Sequence, residues 1–305
     1  MGGRLLSVGE CMVELSQAGD GLLRKGFAGD TLNTAWYARA CLPSEWKVEF
    51  FTALGDDPLS AEMLSFIEKA GIETGSVARI TGGTPGLYLI NLKDGERTFS
   101  YWRNASAARK LAIDADHLRA TVEEADLIYF SGITLAILEN PLAVDTFLSE
   151  LRRARASGKQ VVFDPNIRPR LWADRRTMLD TITAGARAAT LVMPSFDDET
   201  VNFGDADIDA TIARYCALGV SQLVVKDGAK GATLDFDGER SHAPATQAIS
   251  VVDTTSAGDS FNGAFLSRLV TGRTPQEAAI FAAKVAATVI GHHGALIEPA
   301  LLPHD

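Results

Sequence analysis

The sequence predicts an α/β protein built on a mainly parallel sheet, and three observations carry that expectation. From about residue 125 short apolar runs alternate with helical patterns, the rhythm of a sheet covered by helices on both faces. The 305 residues, 46% hydrophobic, suffice for one large domain or two modest ones. Polar residues and glycines follow nearly every apolar run, and ligands of such sheets bind at the carboxyl ends of the strands.

Taken in order, RLLSVGE (4–10) reads as a short buried strand with glycine near its end, and CMVELSQAG continues with alternation and then a loop. TLNTAWYARACL (31–42) has helical spacing through Leu32, Ala35, Trp36 and Ala38, with Asp30 or Thr31 as its cap. VEFFTALG is a strand, GDDP a turn, and LSAEMLSFIEKAG a helix that stops at Gly71. Over 84–103, Tyr88, Ile90 and Leu92 alternate with Leu87, Leu89 and Asn91, DG at 94–95 is a hairpin turn, and TFSYW returns. Then come ADLIYFSG, a helix over 141–156, KQVVFDPN, the helix RRTMLDTITAGARAA, TLVMPS, DDETVNFG, a helix over 207–218 and SQLVVKDG. GATLDFDGE makes another hairpin, and two helices close the chain, one from Asp259 and the apolar PQEAAIFAAKVAATVIG. The hairpins near 11–30 and 84–103 suit a small inserted sheet, a lid over 11–31 and 84–104, with 1–10, 32–83 and 105–305 forming the larger α/β domain.

Composition excludes several classes. A net charge of −10 argues against a nucleic-acid partner held by general electrostatics. Cys11, Cys41 and Cys216 fit neither a zinc spacing nor a disulfide framework, which points to a reducing cytoplasm. No apolar run reaches membrane length and the N-terminus lacks a signal-peptide shape, so no membrane partner is expected. GxxxxGK[ST] is absent, and no GxGxxG follows the first strand.

The most informative stretch is DTTSAGDSFNGAFL (253–266). Small residues at a helix mouth allow close backbone approach, and first-turn N–H groups bind anions. Gly258 would open that helix and place Asp259 in its first turn, beside any anion docked there. Such a carboxylate suits proton removal from a nucleophile that attacks a phosphoryl group. Other strand ends supply Glu10, Gly29, Asp30, Asn33, Arg103, Asp164, Asn166, Arg168, Ser195 and Asp198, and KDGAKG adds Lys226, Gly228 and Gly231. Asp198, within FDDE, offers a hard oxygen ligand for Mg²⁺ through water.

Together FAGDTLNTAWYARAC, DPNIR, KDGAKGA and DTTSAGDSFNGAF resemble the ribokinase-like (PfkB) sugar kinases over nearly the whole chain. Within that family VGECMVELS, GLYLI, GERTFSYWRNASAAR, FSGITLAIL and FDPNIRPRLW look like the branch that phosphorylates 2-keto-3-deoxygluconate. The resemblance implies a three-layer sandwich with a β-sheet lid, and ATP and Mg²⁺ as cofactors. It makes Asp259 the catalytic base and Ser256, Ala257 and Gly258 the anion hole. It implies a sugar-acid substrate held by Gly29, Asp30, Asn33, Tyr88, Tyr101, Arg103, Asn166 and Arg168. It puts ATP against Ser195, Lys226, Gly228, Gly231, Ala257 and Gly258, with adenine near Ala283, Ala286 and Val289. A monovalent cation near Asp253 and a homodimer through the lid are further expectations. Ser256 stands where the family usually has glycine, a mild change if only its N–H matters, and Ser195-x-x-Asp198 replaces the family's metal-linked Asn-x-x-Glu.

Overall fold

The computed structural model describes residues 2–19, 21–93 and 96–304. The chain begins with β1 (Arg4–Val8), enters the hairpin β2 (Met12–Gln17) and β3 (Leu23–Ala28), and continues into α1 (Asp30–Cys41). Next come β4 (Lys47–Phe51), β5 (Ala53–Leu54), α2 (Pro58–Lys69), β6 (Ala78–Arg79), β7 (Gly86–Lys93) and β8 (Glu96–Trp102). Strand and helix then alternate through α3 (Ala115–Glu124), β9 (Leu127–Ser131), α4 (Gly132–Ile137), α5 (Pro141–Ala156), β10 (Gln160–Asp164) and α6 (Arg175–Ala188). The remainder is β11 (Leu191–Val192), α7 (Phe196–Phe203), α8 (Ile208–Ala217), β12 (Gln222–Lys226), β13 (Ala232–Phe236), β14 (Glu239–Ala243), α9 (Ala257–Val270) and α10 (Pro275–Val289).

The central sheet runs β14-β13-β12-β11-β10-β9-β1-β4 and is parallel from β12 to β4, with β13 antiparallel to both neighbours. Alternate strand residues feed two cores. Leu5, Phe50, Tyr129, Val162 and Val224 meet α1, α9 and α10 on one face. Leu6, Phe51, Phe130, Phe163 and Val225 meet α3, α5 and α6 on the other. Burial on both faces explains why these strands read as continuous apolar runs. Side-chain caps start the helices between them. Asp57 accepts from the N–H groups of Leu59 and Ser60 ahead of α2, and Thr274 and Glu277 form a capping box at α10.

A separate four-stranded sheet, order β3-β2-β7-β8, joins the two hairpins through the parallel pairing of β2 with β7. The turn expected at 94–95 lies outside the described residues. Three expectations change. VEFFTALG breaks after Phe51, and Ala53–Leu54 turns away to pair with β6. The helices α3 and α4 were not anticipated; α3 buries only Leu118, Thr121 and Val122 in a polar sequence, and α4 has 6 residues. The cap of α1 is Gly29 rather than Asp30 or Thr31, and no side chain bonds there; a Cβ at Gly29 would lie 2.0 Å from the Glu10 carbonyl oxygen, which leaves room for glycine alone. No helix of the described residues is long and apolar enough to cross a membrane.

Candidate active site

The chain enters α9 through Ser256, which sits at φ 64, ψ 12, in the left-handed region. Non-glycine residues are strained there, so serine in place of the family's glycine is not neutral for the backbone. The helix starts at Ala257, one residue before the expected Gly258. The Ala257 N–H reaches Thr254 O at 3.3 Å, while no acceptor among the described residues meets the N–H groups of Gly258 and Asp259. Of the three amides expected to form the anion hole, those of Ser256 and Gly258 have no acceptor among the described residues, and Asp259 adds another such amide. They are the donors that a helix start leaves open to an anion.

Asp259 is positioned by α1. Its Oδ2 accepts a hydrogen bond from Asn33 Nδ2 at 2.9 Å, and Thr34 Oγ1 reaches its carbonyl at 3.4 Å. The two helices come this close at Gly263, where a Cβ would stand 2.5 Å from Thr34 O. Burial, then the negative charge of Asp30, push the Asp259 carboxyl up to about 7, with Asp164 adding to the rise and Asn33 and Ser256 opposing it. A carboxylate poised near neutrality can take a proton at physiological pH. The Ser256 hydroxyl is buried without a partner at hydrogen-bonding geometry.

Behind Asp259 lies a connected polar group. Lys226, the last residue of β12, donates from Nζ to Asp164 Oδ2 at 3.0 Å and to Asn262 Oδ1 at 3.1 Å. Asn262 Nδ2 donates to Asp164 Oδ2 at 2.6 Å and to the Tyr129 hydroxyl at 3.0 Å. Asn262 was missed in the sequence. Its signal was the spacing from Asp259 to Asn262, which places both on one helix face.

On the expected sugar side, Asp30 Oδ2 accepts from Asn166 Nδ2 at 2.9 Å, and burial raises the Asp30 carboxyl. Asn166 holds a left-handed φ of 35 with its own N–H on Asp164 Oδ1 at 3.0 Å. Arg103 was expected to offer its fork to a substrate. Its guanidinium is instead paired with buried Glu10, whose side chain is 1% exposed. Tyr88 is likewise committed, donating to Glu14. Tyr101 stays open, 53% exposed, with its ring 5.9 Å from Tyr88 and 6.0 Å from the Arg103 guanidinium carbon. Arg168, its side chain 53% exposed, donates to Ile167 O and lies 3.7 Å from Asp198.

The nucleotide loop divides in two. Gly228, at φ 50, has open space where a Cβ would stand. Gly231, at φ 95, would drive a Cβ to 2.2 Å from Ala243 O, so it serves the packing of β14 rather than a ligand. Ser195 caps α7 without a side-chain bond and bridges to Lys226. Val289 is fully buried in the core beside α9, and Ala283 is nearly so; Ala286 is partly buried against the same core. Val289 therefore cannot meet adenine in this conformation.

Among the three carboxylates of FDDE, Glu199 is taken by Arg214 at 2.5 Å and the Tyr215 hydroxyl at 3.0 Å. Asp197 is exposed, and Asp198 is partly buried, its carboxyl raised by burial and lowered by Arg168. No group of three or more metal-ligating side chains occurs among the described residues. Mg²⁺ commonly keeps several waters and binds through one or two carboxylates plus substrate phosphates. The Asp253 carboxylate accepts from Thr255 N at 3.0 Å and Gly294 N at 2.8 Å, tying two loops together.

Known proteins resemble this chain over nearly its whole length. Residues 3–300 match the family described as pfkB family carbohydrate kinase. The chain is 40% identical over 303 residues to a 2-dehydro-3-deoxygluconokinase of Dickeya dadantii (strain 3937), covering 97% of each. It is 38% identical to a protein of the same name from Escherichia coli (strain K12), covering 99% of this chain and 100% of that one. Among solved structures, a PfkB protein from Polaromonas sp. JS666 superposes with a TM-score of 0.83 at 27% identity, covering 94% of this chain and 96% of that one. A fructokinase from Xylella fastidiosa with bound ATP has a TM-score of 0.83 at 23% identity, covering 98% and 95%, and speaks to the fold alone. The chain belongs to the PfkB family of carbohydrate kinases, and it is a sugar kinase.

Proposed function

We propose that this kinase transfers the terminal phosphoryl group of ATP to the primary hydroxyl of 2-keto-3-deoxygluconate, giving 2-keto-3-deoxy-6-phosphogluconate. The observation that carries the reading is Asp259, with its carboxyl raised to about 7, beside the unpaired amides of α9. Asp259 takes the hydroxyl proton while Asn33 holds the carboxylate in place. The Gly258 and Asp259 amides stabilise the negative charge on the transferring phosphoryl oxygens. Mg²⁺, when bound with ATP, neutralises phosphate charge, and Asp198 would hold it through water. The names of the relatives 40% and 38% identical to this chain support the choice of substrate.

A sugar acid also needs a cation for its carboxylate, since burying that charge unpaired is costly. With Arg103 engaged by Glu10, the half-exposed guanidinium of Arg168 is the better placed of the two to supply it. The same pairing favours a second reading, a neutral sugar such as fructose. ADP release measured with 2-keto-3-deoxygluconate, gluconate, fructose and ribose separates them. The keto-deoxy acid is expected to give the highest kcat/KM; a preference for fructose or ribose refutes the substrate, and binding without ADP release refutes the kinase reading.

A further inference from the structure

Four observations converge on Lys226. It ends β12 at the carboxyl edge of the sheet, and its side chain is 14% exposed. Its Nζ stands 3.8 Å from where a Cβ on Gly258 would lie, beside the unpaired Gly258 amide. Asp164 and Asn262 accept two of its three ammonium protons, and no acceptor among the described residues takes the third. Asp30 and Asp164 also raise the carboxyl of Asp259, so the transferred phosphoryl group would pass a strongly negative neighbourhood. Phosphoryl transfer under such conditions requires a cation near the migrating charge.

We propose that Lys226 is a catalytic residue that donates its remaining N–H to an oxygen of the phosphoryl group in transit, with Asp164 and Asn262 as positioning residues. This rests on the kinase reading above. The sugar oxygen–phosphorus bond forms as the bond to ADP breaks, and ADP leaves with that electron pair. The hydroxyl proton goes to Asp259. Lys226 keeps all its protons and contributes charge and one hydrogen bond. Asn262, fully buried and bonded to Tyr129, locks the ammonium against α9. Lys226 therefore belongs to the chemical step more than to recognition of the nucleotide.

The alternative is an ion pair that only neutralises Asp164. Lys226→Met keeps the length of the side chain and removes its charge. Asp164→Asn with Lys226→Met removes both charges, leaving no orphan carboxylate. Both variants are compared with the parent in kcat, in affinity for a non-hydrolysable ATP analogue, and in affinity for ADP with aluminium fluoride in the presence of sugar. The expected result is a fall in kcat of about 10²–10³-fold, the range of a lost charge-stabilising donor. Affinity for the aluminium fluoride complex should weaken at least about tenfold while that for the ATP analogue stays within about threefold. Equal weakening of both complexes, unchanged kcat, or recovery of parental kcat in the double variant overturns the proposal. If the parent itself releases ADP with none of the sugars, the kinase reading fails and this proposal falls with it. If it prefers another sugar, the measurements are made with that sugar and the proposal stands or falls separately.

Discussion

On the floor of the cleft, polar side chains hold one another. Asn33 holds Asp259, Asn166 holds Asp30, and Lys226, Asp164, Asn262 and Tyr129 form one network. On the small sheet, Phe99, Tyr101 and Trp102 are 41%, 53% and 60% exposed, and the ordered polar contacts there lie lower, at Glu10 with Arg103 and Glu14 with Tyr88. The difference teaches a division of labour. Groups that stabilise developing charge must be fixed before the reaction, because reorganising them costs what they would contribute. Groups that recognise a substrate can stay open until it arrives, and exposed aromatics lose little conformational freedom on contact.

If the floor carries the chemistry, Asp259→Asn should produce the largest effect. We expect kcat to fall by roughly two to four orders of magnitude with ATP binding retained, measured by steady-state kinetics and titration. Near-normal turnover would remove Asp259 from the mechanism. With the Asp259 carboxyl at about 7, kcat/KM should fall about tenfold per pH unit below that value, as the base becomes protonated. Stability should show the opposite sign. The folded pKa is raised above the ordinary value of 3.8, so ionisation costs stability progressively between about 3.8 and about 7 and fully above it. Asp259→Asn should therefore melt higher than the parent at pH 8, by an amount on the order of a few kcal/mol at most because the group keeps some solvent, and lose that advantage near pH 4.

The small sheet should respond differently at its base and its rim. Arg103→Ala strands Glu10 as an uncompensated buried charge, and we expect about 3–5 kcal/mol of lost stability in denaturant unfolding. A stable Arg103→Ala enzyme with only a raised KM would show that the guanidinium serves the substrate after all. Arg168→Ala, at a half-exposed position, should leave stability nearly unchanged. It should raise KM for the keto-deoxy acid by about tenfold to a hundredfold, with KM for ATP little affected. Parallel rises in both would break the assignment of the carboxylate to Arg168. The smallest expected effect is at Ser256. Ser256→Gly relieves a left-handed φ of 64 and should stabilise the protein by about 1 kcal/mol, read as a higher Tm. A lower Tm would mean that the buried hydroxyl holds Asp259 more strongly than the backbone resists.

Much of this was legible in the chain. The parallel rhythm after residue 125, the helix over Pro141–Ala156 and the motif around Asp259 were all readable from periodicity and local spacing. So was the small sheet, since β7 shows strand alternation and the β8 segment follows it after a turn signal. The identity of the helix caps was less legible. Position 29, the cap of α1, must be glycine because Glu10 O lies 2.0 Å from where a Cβ would be, a contact between residues 19 apart in sequence.

The amino-acid sequence by itself determined the layers and the candidates, because hydrophobic periodicity and turn chemistry act over a few residues. Only the tertiary structure decided which candidates have free donors and which are spent. Arg103 and Arg168 look equivalent as residues, yet one is paired through its guanidinium with buried Glu10, its Nε a buried donor lacking a partner, and the other is half-exposed. Glycines 228 and 231 look alike in KDGAKG, yet one opens on empty space and the other on a carbonyl oxygen. Lys226 meets Asp164 and Asn262 from 62 and 36 residues away. Hydrogen-bond and charge pairing depend on distances of a few ångströms between remote segments, and no local pattern in the chain encodes them.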